Sequence, residues 1–170
     1  LHEESEACRA LKGAMLRQEI YALDGSEKEK YPYTVTEQNF TIQCLQPRQG
    51  NRHAVFFTHA REAINYHYER NPSDPRISHA MTMEVDAYGN ALKSVAIGYG
   101  RTVSPLSELK DRLKQTSSLI TYTENNFTNP ILAENDYRAP LPADARTYEL
   151  TGYIPTGEAG RFQMIDFVQR

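Results

Sequence analysis

The sequence has no tryptophan, only two cysteines, and no apolar run near the 18 residues that a membrane helix needs. Two cysteines are too few for a disulfide scaffold. The 19 Lys and Arg residues nearly balance the 22 Asp and Glu residues, and no basic stripe recurs along the chain. These absences argue against a disulfide-stapled domain, a membrane contact and a nucleic-acid-binding surface.

Motifs of common catalytic sites are also missing. The chain has no GxSxG elbow, no GxxxxGK[ST] loop, no complete GxGxxG and no HExxH. Gly98-Tyr99-Gly100 is a fragment of the third and reads as a strand end. The Arg-specific ADP-ribosyltransferases need a Ser-Thr-Ser strand followed by Glu-x-Glu, whereas Glu27-Lys28-Glu29 precedes any serine-rich strand here. We therefore predict no enzyme activity, no catalytic residue and no cofactor.

Metal sites are not indicated by the residues that could form them. His53, His59, His67 and His79 have neither zinc-finger nor HExxH spacing, and are interpreted as polar strand and loop residues. The segment 86–90 has several side-chain oxygens but too few acidic ligands for an EF-hand loop. It is predicted to be a hairpin turn.

The two cysteines, Cys8 and Cys44, lie in apolar sequence contexts. Cysteine often serves as a small core residue in such surroundings. Their separation permits one disulfide but does not require it. We predict free, structural thiols.

The first half of the sequence is predicted to form strands. They are expected at Ala14–Leu23, Tyr31–Leu45, Ala54–Thr58 and Arg61–Arg70, because β-branched and aromatic residues alternate there and turn residues follow. Asp24-Gly25 and the charged run 26–30 predict the first reversal. The run 71–75, with two prolines, predicts a loop.

The second half contains the clearest hairpin, Ile77–Val85 followed by Ala91–Tyr99. One short helix is predicted near 105–116, capped by Ser104 and with three leucines on one face, Leu106, Leu109 and Leu113. Strands are expected at 119–123 and 146–150. The chain is predicted to be irregular from Asn125 onward, with a final element at 162–168 that could be completed elsewhere.

The predicted fold class is therefore mainly β, with antiparallel hairpins in a meander and one short helix. Eleven tyrosines and a mean hydropathy of −0.65 indicate half-buried, amphipathic surfaces rather than a thick core. Nothing marks a linker, so residues 1–170 are treated as a single segment. The non-Met start and the acidic residues that follow suggest a segment of a longer protein.

Longer strings carry a resemblance to a known family. The hairpin Met83–Tyr99 resembles the repeating unit of Rhs/YD-repeat proteins. Other strings are similar, in order, to the middle/C-terminal region of the B component of bacterial Tc (toxin complex) insecticidal toxins. The most specific of them are residues 8–13, 15–19, 21–25, 32–39, 121–124, 137–142 and 146–152.

The resemblance implies a non-enzymatic structural role. In that family, the B and C components form a hollow β-sheet shell, or cocoon, around a toxic domain of C. Another part of B docks on the pore-forming A component. The implied partners are thus the C component with its enclosed domain, and A through other parts of the parent chain. The implied location is secreted and extracellular, with the cytoplasm as the location before release.

Two further expectations stay open at this point. Sheet edges left unpaired would favour self-association. The alternative function is a carbohydrate- or receptor-binding β-module of a secreted bacterial virulence protein, in which Tyr66, Tyr68 and Tyr99 would stack on sugars. An exposed aromatic platform would favour that alternative.

Overall fold

The computed structural model describes residues 2–168. The chain divides into two compact units, one up to Pro75 and one from Arg76 onward. Antiparallel strands dominate both, so the predicted mainly β fold class is confirmed. Within the described residues, no helix has the length and apolar character required to cross a membrane.

The first unit is a helix followed by three antiparallel strands. Helix α1 covers His2–Ala10, and the strands are β1 (Arg17–Ile20), β2 (Thr34–Gln46) and β3 (Val55–His67). Strand β2 is central, with β1 against its first residues and β3 along its whole length. The helix was not predicted, because its acidic residues were interpreted only as the start of a segment.

Carboxylates attach α1 to the turn between β2 and β3. Glu6 accepts a hydrogen bond from the Ala54 backbone N–H (3.0 Å), and its other oxygen lies 2.9 Å from His53 Nδ1. These two contacts lower the pKa of Glu6. Glu3 accepts a hydrogen bond from the backbone N–H of Arg48 at 2.7 Å. The helix is therefore held by polar contacts and buries no side chain.

Strand β3 joins two strands that the sequence had separated near Arg61. The register with β2 shifts between the Asn39–Glu62 pair and the Phe40–Ala60 pair, so Arg61 lies at a β-bulge. Such a β-bulge interrupts the alternation of side chains without ending the strand. The predicted break is thus an irregularity inside one long strand.

Strand β1 is shorter than the predicted 14–23, because an ion pair shapes the chain that follows it. The Arg70 guanidinium donates to the Asp24 carboxylate at 2.7 Å and holds the pKa of Asp24 well below its usual range, with help from the Ser26 N–H. Arg70 itself has a left-handed backbone (φ 61°). The charged run 26–30 forms a turn, as predicted.

The second unit alternates strands with short helices. Its elements are β4 (Arg76–Val85), β5 (Ala91–Gly98), α2 (Leu109–Thr116), β6 (Leu119–Phe127), β7 (Ile131–Ala133), β8 (Asp136–Arg138), β9 (Pro142–Leu150), a 3₁₀ turn (Glu158–Gly160) and α3 (Ile165–Val168). Strands β4, β5, β6 and β9 pair in that order, all antiparallel. Strands β7 and β8 form a separate small hairpin.

The predicted β4–β5 hairpin is confirmed, and one carboxylate organises its turn. Asp86 Oδ1 accepts hydrogen bonds from the backbone N–H groups of Tyr88 (2.8 Å) and Asn90 (2.9 Å), while Oδ2 accepts from the Asn90 side chain. Gly89 has φ 84°, which a residue with a Cβ adopts only with strain. The oxygen-rich turn is therefore explained by its own backbone.

The predicted helix near 105–116 begins later than expected. Ser104 Oγ accepts a hydrogen bond from the Leu106 N–H and contacts Gln115 Oε1, so it caps a preceding turn. The α-helix starts at Leu109, and its N-cap residue Glu108 makes no side-chain cap. Of the three leucines predicted to share one helix face, Leu106 lies before α2, and α2 buries none of its residues.

The prediction of irregular chain from Asn125 onward is wrong. Strand β6 continues to Phe127, and β9 begins at Pro142, four residues before the predicted strand. Proline fits there because it is the first residue of an edge strand, where a missing N–H is tolerated. The final segment contributes α3 and two core side chains, Phe162 and Phe167.

The core lies almost entirely in the second unit. Among the described residues, its buried apolar side chains are Met81, Val95, Ile97, Ile120, Phe162 and Phe167. Among the described residues of the first unit, Val35 is the one buried apolar side chain. The first unit is therefore a strip whose two faces stay half open.

We expect Asp86→Ala to destabilise the β4–β5 turn by about 1–3 kcal/mol, since three hydrogen bonds lose their acceptor. Partial burial opposes ionisation of Asp86, but bonds from Asn90, Tyr88 and Gly89 outweigh it and lower its pKa below 3.8. A depressed carboxylate pKa stabilises the fold above the unfolded-state value and loses this effect as pH falls through the folded value. Urea unfolding of the natural protein and of Asp86→Ala, at pH 7 and at pH values below 3.8, measures the loss in the free energy of unfolding and its decrease at low pH.

Asp136→Ala is the matched control, because Asp136 is an exposed strand residue. It should change the free energy of unfolding little at either pH. Equal losses for the two variants, or a loss for Asp86→Ala that does not shrink at low pH, would contradict this account of the turn.

Candidate interaction surface

One face of the β4–β5–β6–β9 sheet is built in rows that run across the four strands. Residues directly opposite in antiparallel strands point to the same face, so the strand register defines each row. The first row is His79, Ile97, Ile120 and Leu150. The second is Met81, Val95, Tyr122 and Tyr148. The third is Glu84, Lys93, Glu124 and Arg146.

The C-terminal segment, residues 151–168, packs against the first and second rows. Tyr99 makes its main contacts with the sheet. The Phe162 backbone N–H donates to the Tyr99 hydroxyl at 2.9 Å, and the same oxygen lies 3.1 Å from His79 Nδ1. The Arg161 guanidinium lies over the Tyr99 ring at 4.8 Å. A single phenol therefore joins the end of β5, a buried histidine and the C-terminal segment.

Aromatic rings extend this attachment inward. Phe162 contacts Tyr99 and Phe167, with ring centroids 6.0 and 5.5 Å apart, and Phe167 stacks on Tyr153 at 5.6 Å. Offset aromatic pairs of this kind add to the stabilisation from burial alone. The segment thus seals the first two rows near β4, β5 and β6.

Asp166 fixes the start of α3 within this segment. Burial raises its pKa, but hydrogen bonds from the Gln163 N–H (2.9 Å) and from the Thr156 hydroxyl (2.5 Å) outweigh burial, so the net pKa is lowered. Both donor residues lie before α3, so the carboxylate connects them to the first turn of the helix. The C-terminal segment is consequently a folded element.

The third row carries alternating charge. Lys93 Nζ lies 2.7 Å from Glu84 Oε2, and the pKa of Lys93 is raised first by this contact. Glu124 faces Lys93 on one side and Arg146 on the other in the strand register. The sequence of charges across the four strands is therefore negative, positive, negative, positive.

The opposite face of the same strands is made mainly of small and hydroxylated residues. It includes Ser78, Ala80, Thr82, Ser94, Ala96, Gly98, Thr121, Thr123 and Thr147, together with Leu119 and Glu149. Thr123 and Thr147 are linked by a hydroxyl contact of 3.2 Å. This face offers no cluster of acid and base groups for catalysis.

The three tyrosines proposed for sugar stacking fall in different units. Tyr66 and Tyr68 belong to the first unit, are half-buried and stack on each other with ring centroids 5.8 Å apart. Tyr99 belongs to the second unit and is engaged with His79 and Phe162. The sequence singled out Tyr99 for sugar stacking, whereas the structure shows it in contact with other residues of its own unit.

The four histidines that were considered as metal ligands do not share contacts. His53 contacts Glu6, His59 contacts the Ala60 carbonyl, and His79 is buried beside Tyr99. Within residues 2–168, no group of His, Cys, Asp and Glu side chains is arranged to hold a metal ion.

The prediction that Cys8 and Cys44 are core residues is wrong. Both are free thiols, but both side chains are exposed. Cys8 lies in the last turns of α1, which buries no residue, and Cys44 lies near the exposed end of β2. Their apolar sequence neighbours are exposed or only half-buried, which is why the local context misled the prediction.

The Glu27–Glu29 pair lies beside a wide-open depression at the charged turn. Glu29 accepts a hydrogen bond from the Gly25 N–H at 2.6 Å, so it serves the turn. Tyr21 and Leu23 contribute apolar side chains to the same depression. The depression is open to solvent and does not enclose these carboxylates.

The sequence predicted neither the rows of side chains across the four strands nor the contact of the C-terminal segment with Tyr99. Alternation on single strands showed which residues share a face, but register was needed to place Lys93 between Glu84 and Glu124. Phe162 and Phe167 were visible as apolar residues in a short final segment. Their distance in sequence from Tyr99 gave no signal of contact.

Comparison with known proteins points to one family. A family described as the insecticide toxin TcdB middle/C-terminal region matches residues 6–139. Among curated proteins, none matches significantly. Two solved structures of TcdB2-TccC3 and TcdB2-TccC3-TEV are 31% identical over 84% and 85% of this chain, with TM-scores of 0.69 and 0.72.

A third solved structure is the Photorhabdus luminescens Tc holotoxin pore. It is 29% identical over 97% of this chain, with a TM-score of 0.75. The chain spans only 7–8% of the length of these matched chains. The likeness therefore concerns one region of much larger proteins.

We expect Tyr99→Phe to lower the free energy of unfolding of the second unit by about 1–3 kcal/mol, because the Phe162 N–H and His79 lose a buried partner. Hydrogen exchange should increase at Phe162 and in α3 before it increases in β6. Tyr88→Phe, at an exposed turn tyrosine, is the matched control. Unchanged exchange in the C-terminal segment would contradict the role assigned to the Tyr99 hydroxyl.

We expect both Cys8 and Cys44 to react with an aromatic disulfide reagent in the native protein at rates close to those in urea. Exposure rather than burial controls access to a thiol whose surroundings are not enclosed. Single Cys→Ser variants assign each reaction. A native-state rate more than about a hundredfold slower for either thiol would contradict its exposed position.

Proposed function

This chain belongs to the family of the insecticide toxin TcdB middle/C-terminal region, and we propose that it is a non-enzymatic structural segment of a Tc toxin B component. In this proposal, residues 1–170 form part of a β-sheet shell that encloses a toxic enzyme and helps deliver it. The parent protein is secreted and acts outside the bacterial cell.

The exposed apolar surface is the observation that carries the proposal. Within residues 2–168, twenty large apolar side chains are exposed, among them Leu23 at 90%, Leu109 at 61% and Leu113 at 57%. Single exposed apolar residues are ordinary, but Leu109 and Leu113 lie one turn apart on α2, which buries no residue, and an uncovered apolar helix face marks contact with another protein surface. A wall segment would cover them with its neighbours.

The distribution of burial supports the same proposal. The first unit contains two paired strands of 13 residues each, β2 and β3. Among its described apolar residues, only Val35 is buried. A free-standing domain normally surrounds a contiguous core. A strip that obtains part of its burial from adjoining segments does not need one.

The proposed partners follow from the same assignment. Among the matched structures, TcdB2 occurs together with TccC3, and one is a Tc holotoxin pore. We propose that this segment, within its parent, surrounds the toxic domain of a C component. Contact with the A component is assigned to other parts of the parent chain.

Cargo protection in the intact parent tests this function. The B component that contains this segment is co-expressed with a TccC-type partner, and protease digestion is followed by gel electrophoresis. We expect one particle in which the toxic domain is protected. Phe167→Ala, which opens the packing against Tyr153 and Phe162, should expose that domain and increase its cleavage rate at least about tenfold.

The control variant is Asp111→Asn on the exposed helix α2, which should leave protection unchanged. Assembly of Phe167→Ala into the same particle, checked by size-exclusion chromatography, separates leakage from failure to fold. A toxic domain that stays fully protected when residues 1–170 are deleted would overturn the proposal. Glycan binding by a stable, monomeric segment would favour the binding-module alternative instead.

A further inference from the structure

The outer edge of β9 is open along its whole length. Strand β9 pairs with β6 on one side, and no other strand within the described residues pairs with its second side. Eight of its nine residues are exposed. Alternate backbone N–H and C=O groups of an antiparallel strand point away from its partner, so this edge offers a row of unpaired hydrogen-bonding groups.

Each of the three side-chain rows reaches this edge with a definite chemistry. The first row ends at Leu150, the second at Tyr148 and the third at Arg146. Leu150 packs against the core, whereas Tyr148 keeps 42% of its surface exposed. Along β9, the edge therefore presents an apolar, an aromatic and a basic position on one face.

Arg146, the basic position at this edge, has an acidic residue opposite it on one side only. In the third row, Lys93 lies between Glu84 and Glu124. Arg146 has Glu124 opposite it on β6, and its side chain remains 67% exposed, 3.7 Å from Asp144 on its own strand. The next position in the alternation, beyond Arg146, calls for a carboxylate.

We infer that the open edge of β9 accepts an extended strand with the pattern apolar–x–aromatic–x–acidic, contributed by a neighbouring segment of the toxin shell. The acidic residue lies opposite Arg146, the aromatic residue opposite Tyr148 and the apolar residue opposite Leu150. The backbone supplies the hydrogen bonds, and the three side chains set register and direction. This inference rests on the proposed function for the source of the strand.

The opposite face is compatible with such an addition. There the β9 residues between the three row ends are Glu149 and Thr147, and the corresponding β6 residues are Thr121 and Thr123. The two x positions of the incoming strand would therefore lie opposite one carboxylate, Glu149, and one hydroxyl, Thr147. Small polar residues at x would continue that face without a steric clash.

The chain itself contains a strand with the required pattern, which serves as the probe. Residues 118–125 include Ile120, Tyr122 and Glu124 at alternate positions, and in the fold they pair with the inner side of β9. A capped peptide of this sequence is titrated into ¹⁵N-labelled protein. We expect chemical-shift changes concentrated on β9, and a dissociation constant that rises about tenfold for Arg146→Glu.

Charge reversal on the peptide provides the decisive comparison. A peptide with Lys in place of the Glu124 counterpart should bind the natural protein about tenfold more weakly and should recover affinity for Arg146→Glu. Lys114→Glu on the exposed helix α2 is the matched control and should change neither dissociation constant. Arg146→Gln serves as a milder variant if charge reversal perturbs the fold.

Three results would overturn the inference. The first is equal binding of both peptides to both proteins, and the second is shift changes located away from β9. The third is a concentration-dependent dimer through β9 that the peptide does not disrupt, which would assign the edge to a second copy. Since cargo protection is measured separately in the intact parent, failure of peptide binding leaves the proposed function standing, and failure of protection leaves the edge without its assigned source.

Discussion

The contact between the Tyr99 hydroxyl and the Phe162 backbone is the interaction on which the second unit depends. It joins the end of β5 to the C-terminal segment, and it lies beside buried His79. Phe162 and Phe167 then fill the face formed by Met81, Val95, Ile97 and Ile120. Without this segment, one face of a four-stranded sheet would remain open to water.

The two units differ in how much of their stability comes from their own residues. The second closes one face with its C-terminal segment, whereas the first relies on strand pairing, the α1 contacts of Glu6 and the Asp24–Arg70 ion pair. Those polar contacts are exposed, where ion pairs contribute little. The first unit is therefore the part for which neighbouring surfaces matter most, which agrees with a role in the wall of a larger assembly.

Local sequence predicted the elements whose determinants are local. The β4–β5 hairpin was predicted because Asp86, Gly89 and Asn90 lie within five residues and form the turn by themselves. The helix boundary at Leu109 was missed because Ser104 bonds to Gln115, a partner eleven residues away. The cysteines were misplaced because apolar neighbours in sequence indicate burial only when another element covers them.

The sequence by itself determined a mainly β chain of antiparallel hairpins, and its longer strings indicated the family. It did so because alternation, turn residues and ordered motifs are properties of neighbouring residues. Only the tertiary structure decided that Tyr99 holds the C-terminal segment and that Glu84, Lys93, Glu124 and Arg146 form one alternating row. Those arrangements depend on register between strands far apart in sequence, which no single strand encodes.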